Sequence, residues 1–161
     1  VSLAAGTALF VFGSIAAMSD SRADSFARPD VIRFGSDTGE MTRALSEMCA
    51  TQRLRRIDPP FLTGVRTRQM QIDCEGFVFF GQSRHVEFVF RDDRLVMVWL
   101  MVTKQETQRM IDAMTATFGP PSHRNRQYVA FESNRTAWRF EPAEILFYAP
   151  ELDADIAPDF E

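Results

Sequence analysis

The sequence has only two cysteines and two histidines in 161 residues, and it lacks the short motifs of the common enzyme classes. It contains no CxxC pair, no P-loop, no GxGxxG, no HExxH and no GxSxG context. Two histidines provide few ligands for zinc, which usually binds three or four protein side chains. The sequence therefore predicts a protein with no metal, no cofactor and no catalytic residues.

An excess of positive charge is also absent. The formal net charge is -4 at pH 7, and the sequence pI is about 5.2. A nucleic-acid partner is therefore not expected, because such proteins need a strong basic patch. Hydrophobic residues make up 45% of the chain and the mean hydropathy is -0.17, which indicates a globular protein of one domain.

The first segment of the chain has the pattern of an export signal. Residues 1–18 are apolar or small, and polar residues follow up to Ala23. We interpret residues 1–23 as a signal peptide cleaved before Asp24, which places the mature protein in the periplasm. The alternative is an uncleaved inner-membrane anchor formed by residues 1–18. No cysteine closely follows the apolar run, so a lipoprotein is not expected. Residues 24–33 are predicted to be a flexible lead-in.

The two cysteines have a specific meaning in an exported chain. An even cysteine count favours a disulfide there, so we predict a bond between Cys49 and Cys74. Closing this loop of about 25 residues stabilises the fold by roughly 3 kcal/mol in the chain-entropy model. The alternative is a free thiol that acts as a nucleophile or binds a metal.

The central residues, 76–102, have the strongest strand pattern in the sequence. Residues 95–102 are apolar throughout, as in a strand that is covered on both faces, and residues 84–91 alternate between apolar and polar. Asp92 and Asp93 between them indicate a hairpin turn. Gly76 and Gly81 flank a third apolar run. Together these runs predict an antiparallel meander.

Two helices are predicted on either side of this block. Asp37 and Glu40 resemble a capping box for a helix that ends near Ala50. Thr103 and Glu106 form a second capping box, and the helix that follows ends at the Gly-Pro-Pro sequence 119–121. Further strands are predicted at residues 51–57, 65–74, 127–132, 136–141 and 144–148.

The predicted fold class is α+β, with two helices packed on an antiparallel meander sheet in the order helix–strands–helix–strands. We assign residues 34–149 to this single domain. Residues 150–161 are predicted to be an acidic C-terminal tail, either extended or lying as a strap on the domain.

This element order resembles that of known exported bacterial domains. The Phe34-Gly35-Ser36 start and the second helix closed by Phe118-Gly119-Pro120-Pro121 look like those of the BamE (SmpA/OmlA) and β-lactamase-inhibitor-protein families. That resemblance implies a layered binding module without catalytic residues, although the lipoprotein cysteine of the first family is absent here. The cysteine pair, the Asp58-Pro59-Pro60-Phe61 loop and the acidic tail look more like a proteobacterial periplasmic family with no assigned activity.

Four arginines form the first candidate binding site. If strands 51–57 and 65–74 pair, Arg53, Arg55, Arg66 and Arg68 gather on one face as a basic stripe. Arginine binds carboxylates and phosphates through paired donors, so the stripe predicts an anion site for a phosphorylated glycan, a lipid head group or an acidic partner. The alternative is that the acidic tail or other surface acids already neutralise these arginines.

Two further features have both a functional and a structural interpretation. Phe61 and Leu62 follow a double proline and form either an apolar tip that inserts into a partner or a cap that folds back onto the core. His85 and Glu87 lie two residues apart on one strand face and provide two metal ligands or, as we prefer, a solvated polar face.

These observations predict an exported, non-catalytic binding domain of the bacterial cell envelope. Its partner is expected to be a protein or an anionic envelope component, with transient membrane contact through the N-terminal segment. The alternative is a secreted enzyme with a carboxylate or metal site that its sequence motifs do not reveal.

Overall fold

The computed structural model describes residues 26–161, and the predicted signal segment lies outside them. Within this range there are three short helices, α1 (Thr38–Ala44), α2 (Thr107–Phe118) and α3 (Asp153–Phe160). Eight strands lie in the same range: β1 (Thr51–Ile57), β2 (Gln69–Phe79), β3 (Gln82–Arg91), β4 (Arg94–Met101), β5 (His123–Arg124), β6 (Tyr128–Phe131), β7 (Thr136–Arg139) and β8 (Glu144–Tyr148). All eight belong to one antiparallel sheet.

The prediction of two helices on a meander sheet was wrong. A meander places its strands in chain order, whereas the spatial order here is β1-β2-β3-β4-β8-β7-β6-β5. After β4, α2 carries the chain to the far edge of the sheet, and the later strands return until β8 pairs with β4. The described chain also has a third helix, α3.

The strand order divides the sheet into two antiparallel groups, β1–β4 and β5–β8, that meet at a seam between β4 and β8. At this seam Met97 lies opposite Tyr148 and Met101 lies opposite Glu144. A helix precedes each group, and both helices contribute buried side chains to one core on the same face of the sheet. The sequence order of helix, strands, helix, strands is therefore present, but as two halves of one sheet.

The two central hairpins follow from local sequence. Asp92 and Asp93 both have positive φ, 52° and 65°, and form the predicted turn between β3 and β4. Phe80 and Gly81 also have positive φ in the turn between β2 and β3. Two consecutive residues with positive φ match the right-handed twist of the flanking strands.

Gly76 does not separate two strands, because β2 runs through it with a β-bulge between Glu75 and Phe77. The extra residue in the bulge interrupts the alternation of side chains between the two faces of the sheet, so that Cys74 and Phe77 both face the core. Gly76 has a φ of +83°, and a Cβ placed on it would lie 2.7 Å from the Cβ of Ala50. Only glycine fits here without movement of the backbone.

Replacing Gly76 by alanine is therefore expected to destabilise the fold by about 1–3 kcal/mol, because the positive φ and the close contact both oppose a side chain. Gly81 is the matched control: its φ is +68°, but no atom lies within 4 Å of an added Cβ. Chemical denaturation of Gly76→Ala and Gly81→Ala separates the cost of the positive φ, which both positions share, from the cost of the close contact with Ala50. Equal losses of unfolding free energy would show that the contact with Ala50 contributes nothing.

The C-terminal residues 150–161, predicted as an acidic tail or strap, form a 3-10 turn followed by α3. Leu152, Ile156 and Phe160 recur every four residues and are buried on the sheet face opposite α1 and α2. The Phe160 ring lies 5.4 Å from that of Tyr128 and 6.3 Å from that of Tyr148. The acidic side chains of α3 lie on its outer side.

The predicted disulfide is confirmed. Cys49, which follows α1, is bonded to Cys74 in β2, with 5.4 Å between their Cα atoms. In the predicted lead-in, Phe26, Val31 and Ile32 are buried in the main core. Among residues 26–161, no helix combines the length and the apolar character needed to cross a bilayer.

Candidate functional site

The sheet face opposite α1 and α2 is only partly covered, and we call it the open face. α3 covers its second half, over β6 and β8. On the first half, alternation along the strands presents polar side chains, and register places Arg53 opposite Asp73, Asp73 opposite Glu87, and Glu75 opposite His85. Among the described residues, the open face therefore groups charged side chains from β1, β2 and β3.

A groove of about 380 Å³ lies on the open face, between α3 and the segment 61–63. Met97 and Trp99 of β4 contribute apolar surface to it, and Glu87, Asp155 and Asp159 contribute carboxylates. Arg91 connects the two sides: its Nη1 donates to the Thr63 carbonyl oxygen at 3.3 Å and lies 3.6 Å from Asp155 Oδ2. The groove thus combines an apolar lining with acidic walls.

Two side chains hold the segment that carries Phe61 and Leu62. Gln69 is buried, and its Oε1 accepts hydrogen bonds from the backbone N–H groups of Phe61 (3.1 Å) and Leu62 (2.9 Å). Further along, Asp92 accepts hydrogen bonds from the backbone N–H groups of residues 66, 67 and 68. Leu62 packs against the apolar cluster under α3, whereas Phe61 remains 56% exposed at the groove.

Arg139 of β7 also lines the groove. Its guanidinium carbon lies 4.1 Å from the centre of the Trp99 ring, a cation–π distance. The same group forms an ion pair with Glu144, which is 1% exposed. This contact joins the two halves of the sheet, because Trp99 belongs to β4 and Arg139 to β7.

The four arginines of the predicted stripe fall into two groups. Arg53 and Arg55 lie on β1, on the open face, and Arg55 Nε lies 2.7 Å from Asp73 Oδ2. Arg66 and Arg68 precede β2 in the loop held by Asp92, so they do not continue the stripe along a strand. Arg66 lies 3.7 Å from a carboxylate oxygen of Asp92, and Arg68 lies 3.9 Å from one of Asp93.

His85 and Glu87 share the open face with two carboxylates from β2 that the sequence did not indicate. His85 Nδ1 lies 2.5 Å from Glu75 Oε1, and its Nε2 lies 3.7 Å from Glu87 Oε1. Ligand atoms of Asp73, His85 and Glu87 all lie within 4.8 Å of one another. Asp73 also accepts a hydrogen bond of 2.6 Å from Gln71 Nε2.

The remaining histidine and the other paired acids serve local contacts. His123 Nε2 lies 2.8 Å from Glu132 Oε2, and Glu141 pairs with Lys104. Asp92 and Asp93 form a turn, as the sequence indicated.

In residues 26–161, each clear pKa shift moves the pKa value of its group further from neutral pH. The Thr67 backbone N–H, with further donors from residues 66–68, holds the Asp92 pKa far below its usual value. Arg84 is the main cause of lowering the Glu106 pKa to about 2, and burial is the main cause of raising the Tyr148 pKa to about 12. A hydrogen bond to Asp153 raises the pKa of Arg135.

Comparisons of the chain with protein-family models, with curated proteins and with solved structures give no significant match. The resemblance to BamE and to β-lactamase inhibitor proteins therefore stays a prediction based on element order.

Proposed function

We propose that this protein is an exported, non-catalytic binding domain of the bacterial cell envelope, and that a partner protein contacts the groove on its open face. The observation that carries the proposal is Phe61. Its large apolar side chain is 56% exposed beside the groove, although Gln69 fixes the backbone that presents it. Together with Met97 and Trp99, which also line the groove, Phe61 gives an apolar surface of the kind that marks contact sites.

Two observations support export to the periplasm. The chain has two cysteines and both are in one disulfide, a bond that persists in oxidising compartments. The apolar residues 1–18 followed by a polar segment fit a signal peptide.

Three groups with shifted pKa values, Asp92, Glu106 and Tyr148, are unsuited to general acid–base catalysis at neutral pH. General acid–base catalysis works best with a pKa near the working pH. The Asp92 and Glu106 carboxyls have lowered pKa values and Tyr148 has a raised one, so these groups keep their usual charge at neutral pH.

The charges around the groove favour a protein over an anionic envelope component. Three carboxylates, Glu87, Asp155 and Asp159, line the groove against one guanidinium, Arg139, which is already paired with Glu144. An anion there would meet net like charge. Of the arginines proposed as an anion site, Arg55, Arg66 and Arg68 each lie within 4 Å of a carboxylate. We therefore expect a partner segment with apolar and basic side chains.

Photo-crosslinking in cells of the native host tests this proposal. A benzophenone amino acid at position 61 of the full-length chain is expected to give a discrete protein adduct in the envelope fraction. Position 54 is the matched control, because Leu54 is also a large apolar residue, is 49% exposed, and lies on the edge strand β1 facing away from Arg53 and Arg55. Position 54 is expected to give no such adduct.

Equal adducts at positions 61 and 54, or none at 61, would contradict a contact site at the groove. An adduct that contains lipid or glycan but no protein would instead favour the anionic envelope component. Recovery of the unlabelled chain from the cytoplasmic fraction alone would contradict export.

A further inference from the structure

The open face carries a cluster of side chains with the geometry of a metal site. Asp73 and Glu87 lie directly opposite each other on β2 and β3, and His85 lies on the same face two residues before Glu87. Their potential ligand atoms lie within 4.8 Å of one another, and all three side chains are half-buried. Zinc binds nitrogen and oxygen ligands at about 2.0–2.2 Å. Side-chain rotations that move each ligand atom by about 1 Å would therefore bring all three atoms within bonding distance of one ion. We propose that Asp73, His85 and Glu87 bind a divalent transition-metal ion.

The orientation of His85 fits this role. Glu75 Oε1 lies 2.5 Å from His85 Nδ1, which leaves Nε2 on the side of the ring toward Glu87, at 3.7 Å. When Nδ1 donates its proton to Glu75, Nε2 carries the lone pair that a metal needs. Metal-binding histidines usually donate their other ring N–H to a carboxylate in this way.

A buried side chain orients the second ligand. Gln71 is 2% exposed, and its Nε2 donates a 2.6 Å hydrogen bond to Asp73 Oδ1. Hydrogen bonds to ligating carboxylates hold them in position for a metal and are part of most such sites. Two of the three ligands therefore have an orienting partner on the same strand, β2.

The charge of the cluster favours a cation. Three carboxylates, Asp73, Glu75 and Glu87, surround one histidine. Two arginines of β1 lie beside them: Arg53 opposite Asp73, and Arg55 in contact with two of the ligands. Arg55 Nε lies 2.7 Å from Asp73 Oδ2 and its Nη2 lies 3.8 Å from Glu87 Oε1, so the guanidinium contacts two of the three ligands. Its side chain is 36% exposed and has room to turn toward solvent. Arg55 is thus a competitor that an entering metal ion displaces.

The ligand set selects among metals. Imidazole suits zinc and its neighbours, whereas calcium takes six to eight oxygen ligands, which three side chains do not supply. Affinity in a given site rises from manganese to copper and is lower again at zinc, which still binds more tightly than manganese. Zn²⁺ is the chosen probe because it has no redox chemistry. Glu87 also lines the groove, so the free coordination positions of a bound ion would lie near it. The proposal does not depend on the identity of a partner protein.

Calorimetric titration of the full, untagged and metal-free chain tests the proposal. We expect one Zn²⁺ per chain, weaker binding of Mn²⁺ and no measurable binding of Ca²⁺. His85→Gln is expected to weaken Zn²⁺ binding at least tenfold, and Glu75→Gln by about 10–100-fold through loss of orientation. His123→Gln is the matched control, because it makes the same change at the other histidine, which pairs with Glu132.

Arg55→Met gives a test in the opposite direction. Removal of the competing positive charge is expected to tighten Zn²⁺ binding by about fivefold or more. Circular dichroism shows whether His85→Gln folds. If that variant does not fold, Arg55→Met still tests the proposal. The proposal is overturned if the unmodified chain binds no Zn²⁺, if the two histidine variants lose affinity equally, or if Arg55→Met weakens binding. These outcomes are independent of the crosslinking result at position 61.

Discussion

Replacing Arg84 by methionine is expected to destabilise the fold by about 3–5 kcal/mol, because it leaves a carboxylate without its buried counter-ion. Arg84 is 6% exposed, and its two Nη atoms each lie 2.6 Å from an oxygen of Glu106. Glu106 in turn accepts hydrogen bonds from the backbone and hydroxyl of Thr103, at the start of the crossover that contains α2. The pair therefore ties the end of the first group of strands to the connection that leads to the second.

Glutamine at position 106 provides the control. It retains an acceptor for Thr103 but carries no charge, so the double variant Arg84→Met with Glu106→Gln is expected to be more stable than Arg84→Met alone. Chemical denaturation at pH 7 measures both. A loss below about 1 kcal/mol for Arg84→Met would contradict a strong buried pair and would resemble an exposed one.

The pH dependence of stability gives a second readout of the same pair. The pKa of Glu106 is about 2 in the folded protein, below its ordinary value of 4.5, chiefly because Arg84 stabilises the charged form. Because the folded pKa is the lower one, the stabilisation is complete above pH 4.5 and is lost as the pH falls toward 2. The difference in stability between the unmodified chain and Arg84→Met is therefore expected to shrink between pH 5 and pH 2.

Removing the disulfide is expected to cost roughly 3 kcal/mol, because a closed loop of 25 residues restricts the unfolded chain. The double variant Cys49→Ala with Cys74→Ala tests this by thermal and chemical denaturation. The unmodified chain in excess reductant is the control, since it loses the bond without a change of side chain. Cys74 is fully buried, so the variant is expected to be slightly less stable than the reduced chain.

Equal stability of the oxidised and reduced chains would contradict this prediction. The expected loss is a large share of the about 5–15 kcal/mol that stabilises a typical domain. A chain that folds in a reducing compartment would therefore be markedly less stable than one that folds after export, which links this measurement to the proposed location.

The features that the sequence predicted well are those with local causes. The bounds of β1 and β8 match the prediction, and the capping box at Asp37 and Glu40 is present. The turn at Asp92 and Asp93 also formed as expected, because two aspartates tolerate positive φ. Each of these signals is contained within a few residues.

The features that the sequence missed depend on residues far apart or on competing signals. The position of β8 beside β4 is a choice of topology that strand patterns do not encode. In α3, the acidic residues and Pro158 obscured the spacing of Leu152, Ile156 and Phe160, which is the signal that identifies the helix.

The candidate site shows the same limit. His85 and Glu87 were recognisable from their spacing on one strand, but Asp73 and Glu75 join them only through the register of β2 with β3. Arg66 and Arg68 were assigned to a strand, whereas the backbone hydrogen bonds to Asp92 place them in a loop. Phe61 and Leu62 were found because the double proline before them marks a break in the sheet.

The seam between β4 and β8 has a consequence for how a ligand would act on the molecule. Trp99 comes from the first group of strands and Arg139 and Tyr128 from the second, yet all three line the same groove. An occupant would therefore contact both groups of strands, in addition to the β4–β8 pair, the crossover through α2 and the shared core that already join them. Binding is therefore expected to couple the two groups of strands more strongly, so that they unfold as one cooperative unit rather than separate at the β4–β8 pair.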